Sequence, residues 1–127
     1  MAPGAVLFVD DDADLRELMR EVLLRLGVPE VTGASLLGEV QARRDEALAC
    51  DLAMLDINLG RDQPTGVNVY DWLRREGFAG RIVFLTGHAA SDPRVREAAA
   101  LDGARIMSKP LTVAELGRLL EEGRPAT

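Results

Sequence analysis

The sequence predicts an α/β fold, a doubly wound parallel sheet with helices on both faces, and three observations carry that prediction. Short apolar runs recur along the 127 residues, amphipathic segments follow them, and acids stand where two of the runs end. Parallel strands need long crossovers, so repeated strand–helix alternation implies a parallel sheet covered on both sides. Right-handed crossovers leave few topologies.

Each element has its own signal. "AVLFVD" from Ala5 is a continuous apolar run, as expected of a strand buried on both faces. Leu15, Leu18, Met19, Val22 and Leu26 then follow helical spacing, with Arg16, Glu17, Arg20 and Glu21 on the other side. Gly27 and Pro29 stop that helix. "EVTGAS" reads as a short second strand, and Leu36, Leu37 and Val40 as a second helix ending near Arg44 to Ala47. "DLAMLDI" is the third strand; the loop "NLGRDQPTG" leads into a helix carrying Val69, Tyr70 and Leu73 and closed by Gly77. "RIVFLTG" is the fourth strand, and "DPRVREAAALDG" a helix with Pro93 at its start and Gly103 at its end. "ARIMSKP" is the fifth strand. In "TVAELGRLLEEG", Thr112 and Glu115 have capping-box spacing.

Composition narrows the class. Apolar residues make up 47% and charged residues 28%, ordinary for one soluble domain, 1–127, with 123–127 as a tail. A net charge of −6 and the lack of a basic cluster argue against non-specific binding to nucleic acid, and without a helix-turn-helix direct DNA binding is not expected. Cys50 is the lone cysteine, so an internal disulfide and a cysteine zinc site are excluded; a small buried filler is its expected role. No apolar run approaches the ~20 residues of a membrane span. The N-terminus lacks a basic stretch and meets acids early, which does not fit a signal peptide, so a cytoplasmic location is expected.

The acids pose the chemical question. Asp10, Asp11, Asp12 and Asp14 crowd the end of the first strand. Two unit charges ~4 Å apart at an effective dielectric near 20 repel by roughly 4 kcal/mol. Asp12 can cap the following helix and Asp14 can favour its positive end. Asp10 and Asp11 precede the helix and need another explanation. In open α/β sheets the site lies beyond the carboxyl ends of the strands, near the switch point of strand order. That places Asp10, Asp11, Asp56, Thr86 and Lys109 together. Three carboxylates form a hard oxygen site, and Mg2+ suits carboxylates, waters and phosphate oxygens. Asp56, ending an apolar strand, can act as a nucleophile and form an acyl phosphate. Lys109 brings a cationic head, Thr86 a hydroxyl for a phosphoryl oxygen, and Gly87 leaves room for the incoming group. Taken singly, Thr86 could cap a turn and Lys109 could be solvated; five such residues at consecutive strand ends point to one site.

With these residues the sequence resembles the receiver domains of two-component response regulators. The matching stretches are "VLFVDDDADLREL", "DLAMLDINL", "RIVFLTGHA" and "GARIMSKP", in the family's order, across Ala5 to Glu122. The resemblance implies a flavodoxin-like three-layer (βα)5 fold with strand order 2-1-3-4-5. It implies that Asp56 is the phosphoacceptor for a phosphohistidine, carried by a histidine kinase or phosphotransfer protein. Asp11 would bind Mg2+ directly and Asp10 largely through water, with the Asn58 backbone carbonyl as a further ligand. Thr86 and Lys109 would hold the phosphoryl group, and the Lys109–Pro110 peptide would be cis.

The sequence departs from the family at three places. Ile106 stands where the family usually has Tyr or Phe, three residues before the lysine, so the usual aromatic readout is missing. The loop "INLGRDQPTGVNV" lacks the early proline and is longer than usual by about two residues. His88, two positions after Thr86, lies where the side chain often tunes hydrolysis in the family, although a solvated surface histidine is the plainer reading. No output domain follows the last helix, which fits a stand-alone receiver or a receiver cut from a longer protein. Trp72 lies on the flank of its helix's apolar stripe, as edge packing or a partner contact.

Three functions follow. In the first, an aspartyl phosphate shifts a two-state equilibrium that a downstream protein effector reads; self-phosphorylation and autodephosphorylation are then its only chemistry, and it is no metabolic enzyme. In the second, the chain is a phosphorylation-independent adaptor with weakened switch coupling, as Ile106 would favour. In the third, it is a Mg2+-dependent phosphohydrolase; that reaction needs an acid two residues after Asp56, where Asn58 stands. Homodimerisation is left open.

Overall fold

A computed structural model describes residues 4–87, 92–101 and 104–122 of the chain. Five strands, β1 (Ala5–Val9), β2 (Glu30–Ala34), β3 (Leu52–Asp56), β4 (Arg81–Thr86) and β5 (Arg105–Ser108), form one sheet. All the pairings are parallel, and the order is β2-β1-β3-β4-β5. This is the flavodoxin-like order that the resemblance implied.

Strand residues alternate between two cores, as a period of two requires. Leu7, Val9, Ala53, Leu55, Ile82 and Phe84 enter one core; Val6, Phe8, Leu52, Met54, Val83 and Leu85 enter the other. Continuous apolar runs were therefore the correct signal for strands covered twice. Helices α1 (Ala13–Arg25) and α6 (Val113–Glu122) cover the second core through Met19, Leu23, Leu116, Leu119 and Leu120. The first core is covered by α2 (Leu37–Ala42), α3 (Arg44–Leu48), α4 (Gly66–Arg75) and α5 (Pro93–Ala99).

Local chemistry sets the helix ends. The Asp12 carboxylate accepts from the N–H groups of Asp14 and Leu15 at 3.0 and 3.2 Å, so it caps α1 as expected. Thr112 and Glu115 exchange both bonds of a capping box at the start of α6. Gly27 and Gly77 follow α1 and α4 with φ of +100° and +95°, a region that glycine enters without steric penalty.

Two expectations need correction. The single helix expected after the second strand is broken at Arg43, whose φ of −112° and ψ of +39° leave the helical region. The helix after Pro93 ends at Ala99, short of Gly103. Cys50 is buried beside β3, its Sγ 3.3 Å from the Glu46 carbonyl, and burial first of all raises its thiol pKa to about 11. It is a structural filler in the core cluster, as its position in the sequence predicted. Trp72 is half-buried against the same cluster. Among the described residues no helix is long and apolar enough to cross a membrane.

Candidate functional site

Strand register brings the acids together. Val9 pairs with Leu55, so Asp10 and Asp56 are the next residues on neighbouring strands. On the other side Asp56 is level with Leu85, and Thr86 with Ser108, which puts Lys109 one residue beyond. The strand order reverses between β1 and β3, so the acids stand at the switch point of the sheet.

Asp10 and Asp56 are 1% and 5% exposed, whereas Asp11 is exposed to solvent. One oxygen from each of Asp10, Asp11 and Asp56 lies within 4.8 Å of the others. Both buried carboxylates are anchored through one oxygen and neutralised through the other. Asp10 Oδ1 accepts from the Asp12 N–H at 2.9 Å, and Asp56 Oδ1 from the Asn58 N–H at 3.3 Å. The Lys109 ammonium donates to Asp10 Oδ2 at 3.1 Å and to Asp56 Oδ2 at 3.2 Å. The repulsion noted in the sequence is thus offset in part by a residue from the far end of the chain.

That offset is incomplete. Burial, and secondly the charge of Asp10, raise the Asp56 pKa from 3.8 to about 6, against the opposing pull of Lys109. Burial alone would lower the Lys109 pKa, but Asp56 and Asp10 outweigh it and the net shift is upward. The site therefore retains an excess of negative charge in a dry position. An all-oxygen donor set of three carboxylates fits a hard divalent cation such as Mg2+.

The loop after Asp56 folds over this end of the sheet. Asn58 Oδ1 accepts from the Gly60 N–H at 3.3 Å, and Gly60, at φ +118°, brings the backbone towards Asp11. A Cβ on Gly60 would come within 4.0 Å of Asp11 Oδ2. Gly66 closes the loop: its N–H donates to the Ile57 carbonyl at 2.8 Å, and a Cβ there would lie 2.4 Å from the Asp56 carbonyl oxygen. Only glycine lets the start of α4 approach β3 this closely.

Thr86 is buried at the end of β4, and its carbonyl accepts the Lys109 N–H at 2.8 Å. A Cβ on Gly87 would meet nothing within 4 Å, so there is room beside Thr86. Ile106 is half-buried, paired in register with Phe84, whose ring lies 5.8 Å from that of Tyr70. The Lys109–Pro110 peptide is cis. His88 lies outside the described residues.

Sequence reasoning missed two contributors. Arg16 was placed on the solvent side of α1, yet its Nη1 donates to the Asp10 backbone carbonyl at 2.7 Å. Gly66 also escaped notice; its place at the junction of a polar loop and a helix was the available signal.

The family model for the response regulator receiver domain matches residues 6–121. The chain belongs to the response regulator receiver domain family. Solved structures agree with the assignment. The receiver is similar to the Vibrio cholerae chemotaxis protein CheY4, at 25% identity and a TM-score of 0.79, covering 97% of this chain and 100% of that one. It is similar to a response regulator receiver protein from Sinorhizobium medicae WSM419, at 27% identity and a TM-score of 0.75, covering 93% and 91%. A receiver domain protein from Methanospirillum hungatei JF-1 matches at 25% identity and a TM-score of 0.76, covering 93% and 90%. No curated protein matches this receiver.

Proposed function

We propose that this receiver domain takes a phosphoryl group from a phosphohistidine onto Asp56 and uses it to switch protein–protein contacts. The observation that carries the reading is the Lys109 ammonium held between the carboxylates of Asp10 and Asp56. In the transfer, an Asp56 oxygen attacks phosphorus as the P–N bond breaks, and the electron pair stays on the imidazole nitrogen. Asp56 is ionised at neutral pH, because its pKa of about 6 lies below that range. Lys109 moves with the new negative charge by re-aiming from Asp56 Oδ2 to a phosphoryl oxygen. The Thr86 hydroxyl donates to a second phosphoryl oxygen, in the space left open by Gly87.

Asp10, Asp11 and the Asn58 carbonyl would hold Mg2+ with Asp56. When bound, the ion neutralises carboxylate and phosphoryl charge at once. Phosphoryl transfer depends mostly on alignment and charge neutralisation, so these groups suffice. On this reading the protein works in the cytoplasm with a histidine kinase or phosphotransfer protein and a downstream effector. Its chemistry is its own phosphorylation and autodephosphorylation, not the turnover of a metabolite.

One observation favours a second reading, the adaptor with weakened coupling: Ile106 supplies neither ring nor hydroxyl to follow Thr86. Amide NMR with Mg2+ and beryllofluoride, a phosphoryl mimic, separates the two. A working switch gives shifts at Asp56, Thr86 and Lys109 that spread into β5 and α6. An adaptor gives shifts confined to the site. A wild type that responds no more than Asp56→Asn overturns the phosphoacceptor assignment.

A further inference from the structure

The receiver has a second polar concavity, on the flank of α1 that faces the edge of the sheet. A groove of about 390 Å3 runs between α1 and the edge strand β2. Arg16, Arg20 and Arg43 line it, with Glu17 among them and Val31 and Gly33 contributed by β2. Three guanidiniums in one groove are unexpected on a chain of net charge −6.

Among the described residues none of the three is ion-paired with a carboxylate within 4.0 Å. Arg16 gives one N–H to the Asp10 carbonyl at 2.7 Å, and Arg43 gives one to the Gly33 carbonyl at 3.2 Å. A guanidinium has five N–H donors, so most of their capacity is unused. Elsewhere in the chain Arg44 pairs with Glu76, and Arg81 and Arg105 with Glu122. Arg16 and Arg20 also stand four residues apart on α1, where like charges destabilise a helix. Glu39 feels the charges of Arg16 and Arg43, but its Oε1 accepts from the Ser35 N–H and hydroxyl at 2.5 and 2.6 Å.

We propose that this groove is an anion site for a small molecule carrying a diphosphate group, gripped by Arg20 and Arg43 with Arg16 at its inner end. Guanidinium forks match phosphate oxygens two at a time, which a set of lysines would not do. The stem of Arg16 lies over the floor of the groove at Gly33. A Cβ at Gly33 would meet only the Cδ of Arg16, at 3.8 Å. Arg20 and Arg43 are exposed and free to close on a bound anion.

The test is an amide NMR titration of the metal-free protein in EDTA, with inorganic pyrophosphate in one arm and ADP in another, ionic strength held constant with NaCl. The expected result is saturable shifts at Arg20, Val31, Gly33 and Arg43 with half-saturation below ~1 mM. ADP matching pyrophosphate means that the diphosphate alone is read, and tighter ADP binding means that the nucleoside is read too; both support the site. The double variant Arg20→Gln, Arg43→Gln, with its remaining spectrum superimposable, raises half-saturation at least ~10-fold. Arg20→Lys, which keeps charge but loses the fork, weakens binding as a check that needs no loss of charge. Shifts that do not saturate, that centre on Asp11 and Lys109, or that persist unchanged in the double variant overturn the proposal.

Discussion

The Lys109 ammonium stands 3.2 Å from Oδ2 of Asp56, although β4 separates their strands in the sheet. The side chain crosses the end of β4 to reach it, lining an apolar groove with Leu15, Pro110 and Leu116 on the way. A lysine stem can bury along such a surface while its head stays polar. Removing the head leaves burial and Asp10 acting on Asp56 with no opposing cation among those that now hold its pKa at about 6. Lys109→Ala should therefore raise the Asp56 pKa further. Carbon-13 titration of the Asp56 carboxyl in EDTA checks this, and an unchanged or lower value contradicts it.

Asp56 makes stability depend on pH in a predictable direction. Its folded pKa of about 6 exceeds the ordinary 3.8, so the folded chain holds the proton longer than the unfolded chain. Stability is then complete below about 3.8 and is lost as pH rises to about 6 and just beyond. At 1.36 kcal/mol per tenfold change in acidity the full loss is about 3 kcal/mol. Asp56→Asn cannot ionise and escapes it. Urea unfolding in EDTA should find the variant and wild type alike near pH 4, and the variant more stable by about 2–3 kcal/mol at pH 7. A difference that does not change with pH would refute this account.

Mg2+ should reverse part of that cost. A cation that binds only the folded state stabilises it by about 1.4 kcal/mol at ten times its dissociation constant. The melting temperature of the wild type should rise with Mg2+ and that of Asp11→Asn should rise less. Asp11 is exposed and makes none of the hydrogen bonds described for Asp10 and Asp56, so its loss should leave the fold intact. Insensitivity of the wild type to Mg2+ counts against the carboxylate cluster as a metal site.

Two glycines test whether the Asp56 backbone must be approached closely. A Cβ would lie 2.4 Å from the Asp56 carbonyl at Gly66, and 2.5 Å from the Asp51 carbonyl at Gly80, beside the opposite end of the same strand. Both Gly66→Ala and Gly80→Ala should destabilise the fold, each by roughly 1–3 kcal/mol. Only Gly66→Ala should also slow phosphorylation by a small-molecule phosphodonor at a temperature where both variants remain folded. Equal phosphorylation in the two would show that the contact at Gly66 serves stability alone.

Much of this receiver was legible in one dimension because its signals are periodic or local. "AVLFV" and "RIVFLT" read as strands covered on both faces, and α1 reads as a helix from its apolar spacing, because such patterns depend only on which neighbours a residue keeps. The caps at Asp12 and Thr112 are local in the same sense, their partners being within three residues. The site residues could be nominated because parallel strands collect their carboxyl ends on one edge. The break at Arg43 was not legible: whether α2 and α3 run as one helix depends on packing over the first core.

What the sequence determined by itself is therefore the five strands, most of the helices between them, the edge of the sheet where the acids gather, and the residues at that edge. Tertiary structure decided the pairings between them. Lys109 bridges Asp10 and Asp56, Arg16 turns back to the Asp10 carbonyl, and α4 closes on Asp56 through Gly66. These contacts join residues from different elements, and their distances are set by strand register and helix docking. The raised pKa of Asp56 belongs to the same class, since burial creates it, and burial exists only once both faces of the sheet are covered.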